Sequence, residues 1–300
     1  MPEQIADELD EAVSAFEATR ARLFGIAYRL LGTSADAEDV VQDTWIRWQG
    51  ADRTEIRNVE AFLVTTASRL ALTAAGTARA RRELYVGPWL PEPIPTADDA
   101  VMAVERGEAL ELAVLLLLER LSPIERAVYV LREAFDYPYR EIGEFLGISE
   151  ELARQKGHRA RAHVARERGS RVAPAERDRL LNAFLAAAQR GDLRGLRSML
   201  SEDAMSCSDG GGVVTSARKP IVGRDRVAQF LLRTIDIHGK DAEVKIVEAN
   251  EQPIVVVLRS GTPVAACWVD ATSEGIDRIC MVTNPEKLAA LAAAIAQSRP

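Results

Sequence analysis

Apolar positions in the first third of the chain recur at helical spacing. Ala37, Val40, Val41, Thr44, Trp45 and Trp48 follow one another in alternating steps of three and one behind Ser34, a candidate N-cap. Val59, Phe62, Leu63, Thr66, Ala67 and Leu70 repeat the pattern. No strand-like alternation precedes about residue 200, so the chain up to there is expected to be helix and connection. The pattern stops at Gly87. GPWLPEPIPT places four prolines between Pro88 and Pro95, which excludes helix and favours an extended linker. A second helical block is expected from about Asp99 to Arg168.

The last third differs in kind. Leu181, Phe184, Leu185 and Ala188 mark one more helix, and Leu193 to Leu200 another. Then come the β-rich runs AEVKIVEA, PIVVVLRS, PVAACWVD and GIDRICMV, separated by Asn-Glu, Ser-Gly and Ser-Glu-Gly turn signals. A closing helix is expected from Asn284-Pro285, with Asn as cap and Pro as the first helical residue. Helices followed by a meander of strands indicate an α+β unit, a curved sheet packed on helices. The boundary falls near residues 170 to 175.

Composition narrows the class. Three hundred residues imply two or three domains, and 47% hydrophobic with 28% charged residues indicates a globular chain. No apolar run approaches the ~18 residues of a membrane span. The acidic start, MPEQIADELDEAV, lacks a signal peptide's basic end and apolar core, so a cytoplasmic protein without a membrane partner is expected. Cys207, Cys267 and Cys280 are too few and too scattered for a disulfide framework or a zinc site, and are read as buried thiols. A net charge of −7 argues against nonspecific nucleic-acid coating.

A local basic face survives that total. In EIGEFLGISEELARQKGHRARAHV, Ile142, Phe145 and Leu146 form a buried stripe. Gly143 leaves room for a close crossing, Gly147 suits a tight turn, and Ser149 is placed to cap a second helix. On that helix Ala153, Gly157, Ala160 and Val164 share one side. Glu151, Arg154, Gln155 and His158 project from the other, flanked by Lys156, Arg159 and Arg161. Glu150 to Arg171 holds seven Lys and Arg against three acids. Long side chains with bidentate donors suit a reader of the major groove. An amphipathic hairpin with an Arg-rich solvated face would look the same.

With the first block included, the chain resembles the extracytoplasmic-function sigma factors of bacterial RNA polymerase. LFGIAYRLLGTSADAEDVVQDTWIRW is similar to the part of region 2 that docks on the polymerase clamp. NVEAFLVTTASRLALTAAGTARARRE is similar to the part that melts and reads the −10 element, and Leu121 to Val164 to region 4, which reads the −35 element. WLPEP (Trp89 to Pro93), DGGG (Asp209 to Gly212) and NPEKL (Asn284 to Leu288) resemble the subgroup fused to a SnoaL-like domain of the nuclear-transport-factor fold. That subgroup's usual closing motif is NPDKL, so Glu286 is a mild departure.

The resemblance implies all-α regions 2 and 4, the latter a helix-turn-helix, followed by an α+β cone domain. Their spans are region 2 over 1–86, a Pro-rich linker over 87–98, region 4 over 99–170 and the SnoaL-like domain over 174–300. Core polymerase and the −35 and −10 elements of promoter DNA are the implied partners. Asp39, Gln42 and Asp43 would meet basic clamp helices, with Trp45 packed behind. Arg69, Arg79, Arg81 and Arg82 would neutralise the −10 strand. Glu151, Arg154, Gln155, Lys156, His158, Arg159 and Arg161 would serve the −35 duplex. Trp89, Leu90, Pro91, Glu92, Pro93, Asp209, Gly210, Gly211, Gly212, Asn284, Pro285, Glu286, Lys287 and Leu288 would carry the regulatory contacts, through which the tail acts in cis.

Each set has a plainer reading beside it. Asp36, Glu38, Asp39 and Asp43 suit a solvated helix face, Trp89 a packing anchor, and the three glycines a turn at positive φ. The family shows L-D-x-x-R within its −10 helix, where this chain has Leu72-Thr73-Ala74-Ala75-Gly76. Altered −10 reading is the expectation, and Gly76 should weaken the helix. No metal or cofactor is implied. The cone leaves room for an apolar small molecule, but its one His, His238 in an apparent loop, and acids such as Asp203 and Asp236 form no evident acid/base pair. The alternative is a helix-turn-helix regulator fused to a ligand-binding or cyclase-like domain.

Overall fold

In the computed structural model, residues 2–95, 111–168, 171–239 and 241–297 are described. The expected linker end (96–98) and the opening of the second helical block (99–110) lie outside them. Contacts divide the chain into two units, Met1–Glu83 with Asp98–Glu167, and Leu84–Ala97 with Arg168–Pro300.

The first unit is helical. Helices α1 (Pro2–Leu31), α2 (Ser34–Gln49) and α3 (Val59–Glu83) pack on one another. Leu23, Ile26 and Leu30 of α1, Val40, Val41 and Trp48 of α2 and Leu63, Val64 and Ala67 of α3 fill their core. The Trp48 indole donates to the Ala12 carbonyl at 2.9 Å. The N-cap of α2 is Thr33 rather than Ser34: the Thr33 hydroxyl accepts the Asp36 N–H at 3.3 Å, one residue earlier than the pattern suggested. Helix α3 runs through Gly76 without interruption.

Helices α4 (Leu112–Leu118), α5 (Pro123–Glu133), α6 (Tyr139–Leu146) and α7 (Glu150–Arg168) complete the unit, with α6 lying against α3. A capping box of Ser122 and Glu125 starts α5, with Pro123 as its first residue. The hairpin α6–α7 follows its sequence signals. Gly147 ends α6 at φ 68°, and a Cβ on Gly143 would stand 2.8 Å from the Ile148 carbonyl. The Ser149 hydroxyl accepts the Leu152 N–H at 3.1 Å. Ala153, Gly157, Ala160 and Val164 are buried along one side of α7.

The second unit is α+β. Helices α8 (Pro174–Gln189) and α9 (Leu193–Met199) precede strand β1 (Leu200–Asp209) and the short β2 (Ile221–Val222). Helix α10 (Arg224–His238) then leads to β3 (Ala242–Ala249), β4 (Gln252–Arg259), β5 (Thr262–Thr272) and β6 (Gly275–Val282). A 3-10 turn, Pro285–Leu288, opens the last helix, α11 (Ala289–Gln297). The strands form one mixed sheet in the order β2-β1-β6-β5-β4-β3, parallel only between β1 and β6. The expected meander is β3 to β6. His238 closes α10 rather than sitting in a loop; the apolar positions Val227, Ala228 and Leu231 give that helix its buried face.

The two faces of the sheet have different covers. Val255, Val269 and Ile279 pack with Phe184, Leu196, Val227 and Leu231 of α8, α9 and α10. Alternate residues, including Val256, Trp268, Cys280 and Val282, are also buried, on the side met by the 3-10 turn and α11. Residues 88–94 belong to this unit and are extended, with Leu90 to Ile94 buried. The Ile94 N–H donates to the Asn250 side chain at 2.8 Å, and the Asn250 N–H returns to the Ile94 carbonyl at 3.0 Å. All three cysteines are free thiols, with Cys207 and Cys280 buried.

Candidate promoter, polymerase and linker-binding sites

On α2 the four acids divide into pairs. Asp36 bonds the Thr33 hydroxyl and accepts from Arg81 at 3.1 Å, and Glu38 accepts from Arg20 at 2.7 Å. Asp39, Gln42 and Asp43 are exposed, and helical spacing sets Ile46, 57% exposed, beside them. Trp45 is half-buried behind this face, its ring 4.9 Å from that of Phe16. Ile46 was not singled out in the sequence. Only its exposure distinguishes it from the buried apolar residues around it.

The four arginines expected at the −10 strand do not form one exposed stripe. Arg79 and Arg81 are exposed, Arg81 in its pair with Asp36. Arg69 reaches the C-terminal end of α6, donating to the Phe145 carbonyl at 2.8 Å and the Glu144 carbonyl at 3.0 Å. Those carbonyls end a helix and carry its negative pole, so a guanidinium there is favourable. Arg82 donates to Glu119 and to the Leu31 carbonyl, and Arg126 of α5 donates to the same Glu119. Burial, with Arg126 close by, lowers the Arg82 pKa to about 9, and burial does the same to Arg126. Both stay cations at neutral pH. Nothing in the sequence marked Glu119 or Arg126, a charged pair seven residues apart in an apolar stretch.

On α7 the expected −35 residues also separate. Glu151, Arg154, Gln155, His158 and Arg159 are exposed. Arg161 is exposed and bonds Glu133 at 2.6 Å. Lys156 turns inward and donates to Glu125 of α5 at 3.1 Å. Burial raises the Glu125 pKa, but hydrogen bonds from Ser122 and Lys156 outweigh it and hold the carboxyl below its usual range.

The linker motif and the two C-terminal motifs converge on one carboxylate. Asp209, at the end of β1, has no exposed surface. Its Oδ1 accepts the Tyr85 hydroxyl at 2.6 Å and the Gly211 N–H at 3.1 Å. Its Oδ2 accepts the Leu90 N–H at 2.8 Å and Lys287 Nζ at 2.8 Å. Lys287 also donates to the Leu90 carbonyl at 2.5 Å, and its Nζ lies 4.1 Å from the Trp89 ring centre and 5.2 Å from that of Tyr85. Asn284 donates to the Tyr85 oxygen at 3.1 Å while its own carbonyl oxygen caps the Glu286 N–H. Burial, then the bond to Asp209, raises the Tyr85 pKa, so the phenol remains a donor.

The glycines allow close approach around this carboxylate. Gly211 (φ 63°) and Gly212 (φ 74°) turn the chain, and a Cβ on Gly211 would stand 2.4 Å from the Asn284 amide. A Cβ on Gly210 would meet the Val214 carbonyl at 2.4 Å. Pro91, Glu92, Pro93 and Leu288 are buried, while Pro285 and Glu286 stay exposed on the turn. Tyr85 was missed in the sequence because it precedes the proline-rich stretch that drew attention.

Asp203 on β1 and Asp236 and His238 on α10 are all exposed. A pocket of about 550 Å³ is lined by Arg197, Glu202, Val222 and Gly223 to Arg226, a charged rim rather than an apolar cone interior. Among the described residues, no cluster of His, Cys, Asp or Glu is arranged to hold a metal. No helix among them is long and apolar enough to cross a membrane.

Comparison with known proteins identifies the family. Residues 15–81 match the family model for sigma-70 region 2, and residues 111–164 that for sigma-70 region 4. The chain is 40% identical to the extracytoplasmic-function sigma factor SigJ of Mycobacterium tuberculosis over 232 residues, 76% of this chain and 74% of the relative. It is 34% identical to the probable sigma factor SigI of the same species, over 75% of this chain and 77% of the relative. The crystal structure of M. tuberculosis SigJ superposes with a TM-score of 0.74 at 32% identity, covering 93% of this chain and 98% of that one. The chain belongs to the extracytoplasmic-function sigma factors of RNA polymerase.

Proposed function

We propose that this sigma factor is metered twice: by contacts between its two DNA-reading regions and by a tail that holds the linker joining them. The exposed face of Asp39, Gln42, Asp43 and Ile46 docks on core polymerase, where its acids steer the encounter and the isoleucine adds apolar contact. The outward residues of α7 read the −35 duplex, and the arginines of α3 neutralise the −10 strand. In the free chain Arg69 and Arg82 are occupied by α6 and Glu119, so region 4 must be released before both reach DNA.

The carrying observation is the four-donor environment of Asp209, which fastens Tyr85 and Leu90 to the C-terminal unit. The tail thereby controls how much free chain separates the two DNA-reading regions. As a tethered partner it acts at an effective concentration that a diffusing inhibitor would have to match. Asp209 and Lys287 are consumed in that fastening, which favours a regulatory rather than a catalytic role for this pair. An apolar ligand within the cone is a lesser part of the reading.

Run-off transcription with core polymerase tests it. The full chain, an Asp209→Ala chain and a chain truncated after Arg171 should give different yields from a cognate promoter. Equal yields from all three would refute control by the tail. Co-purification with core polymerase, lost on Asp39→Arg with Asp43→Arg, tests the docking face separately.

A further inference from the structure

The inward side of the recognition helix carries more than small apolar residues. Helical spacing puts Lys156 on the same side as Ala153, Gly157 and Ala160. Its Nζ lies 3.1 Å from Glu125 Oε1, and the two side chains are only 22% and 19% exposed. The other oxygen of Glu125 accepts the Ser122 hydroxyl at 2.6 Å and the Ser122 N–H at 3.3 Å. Lys156 is therefore tied to the capping box that starts α5.

The next residue makes a second tie. A Cβ on Gly157 would stand 2.7 Å from the Tyr139 ring, so the aromatic ring occupies the volume that any other residue would fill. Tyr139 opens α6 and lies under Arg132, 5.6 Å from its ring centre. Adjacent positions thus key α7 to two different helices, one through charge and one through shape. Together they fix the roll of α7 about its own axis, which decides where Arg154, Gln155, His158 and Arg159 point.

We propose that Lys156 and Gly157 are positioning residues of the −35 reader, and that Lys156 acts through Glu125 rather than by touching a phosphate. This rests on the assignment of α7 to the −35 duplex. A basic residue on a recognition helix would ordinarily be counted as a phosphate contact, and the two roles differ in their dependence on salt. Losing a phosphate contact lowers the slope of log affinity against log salt by about one. Losing a positioning contact leaves the slope alone.

The experiment uses holoenzyme assembled from core polymerase and the full chain. The probe is the −35 duplex that the wild-type holoenzyme enriches from a randomised library, titrated between about 50 and 200 mM KCl. Lys156→Met and Glu125→Gln should each weaken binding about two- to fivefold with an unchanged slope. Their double variant should be no weaker than either single, as expected for two halves of one contact. Gly157→Ala should also weaken binding at constant slope.

A shallower slope for Lys156→Met, with additivity towards Glu125→Gln, would make Lys156 a phosphate contact and overturn the proposal. Unchanged affinity for both single variants would overturn it too. Arg154→Ala and Arg159→Ala form the control. If neither alters affinity or slope, the assignment of α7 fails, which is a different result from failure of the positioning role.

Discussion

The charged centres of the two units are built on opposite balances. In the helical unit, Glu119 is shared by two guanidinium groups, Arg82 and Arg126, whose pKa values burial lowers. In the C-terminal unit, Asp209 receives one cation and three neutral donors, and none of its surface is exposed. A carboxylate saturated in this way has nothing to gain from a competing partner. A cationic pair sharing one carboxylate gains when a phosphate arrives. The comparison separates two kinds of contact, and on the proposed function the saturated one stays while the shared one opens.

The largest expected effect follows from breaking the saturated centre. Asp209→Ala leaves Lys287 buried without its carboxylate, a change that typically costs about 3–5 kcal/mol. The C-terminal unit should lose that stability in thermal unfolding, and thermolysin should cut within residues 85–95, which the wild-type chain protects. Unaltered melting together with a protected linker would erase the distinction between the two centres.

Next comes Glu119→Gln, which keeps the shape and removes the shared charge. Arg82 and Arg126 then lose the carboxylate they share, and the helical unit should lose about 1–3 kcal/mol. Hydrogen exchange should rise in α4 and at the C-terminal end of α3, with the C-terminal unit unaffected. A loss spread over both units would mean that their stabilities are coupled.

A smaller effect depends on pH. The Glu125 pKa is lowered in the folded chain, so its contribution is present above the ordinary glutamate range and is lost as pH falls through the lowered value. The group is partly solvated, so the contribution is about 1 kcal/mol or less. Acid titration of the wild type should therefore destabilise the helical unit more than titration of Glu125→Gln does. Parallel acid profiles would show that the capping box and the tie to Lys156 add nothing to stability.

How much of this was legible in the sequence follows from the range of each interaction. The α6–α7 hairpin could be read because its signals are local: Gly147 at positive φ, Ser149 as cap and the buried stripe on α7. Strands β3 to β6 declared themselves through β-branched residues between turns. Strand β1, LSEDAMSCSD, did not, since its serines and acids have low strand propensity and pairing with β6 holds it in place. Helix α10 went unread in the stretch between Leu200 and the first β-rich run, to which no element was assigned. The sequence names the residues around Asp209, but Tyr85 and Lys287 are 202 positions apart, and only the fold brings them together. At Lys156 residue type suggested DNA, while its position on the helix sets its amine beside Glu125, a contact 31 positions away that no local signal announces.

The smallest effect concerns Gly76, where sequence and structure part in degree. Glycine should weaken a helix interior, yet α3 passes through it unbroken and a Cβ there would meet nothing within 4 Å. The helix is held by its buried face, Leu63, Val64, Ala67 and Ala71, one turn and more earlier. Gly76→Ala should therefore add about 1 kcal/mol and raise the melting temperature of the helical unit by about 2–4 °C, through propensity alone. Because the position is exposed and touches no partner in the unit, transcription at moderate temperature should stay level if α3 works as a rigid rod. A stabilised chain that opens promoters more slowly would instead show that local unwinding at Gly76 takes part in −10 melting. The helical unit would then have a second contact built to open, inside α3 itself.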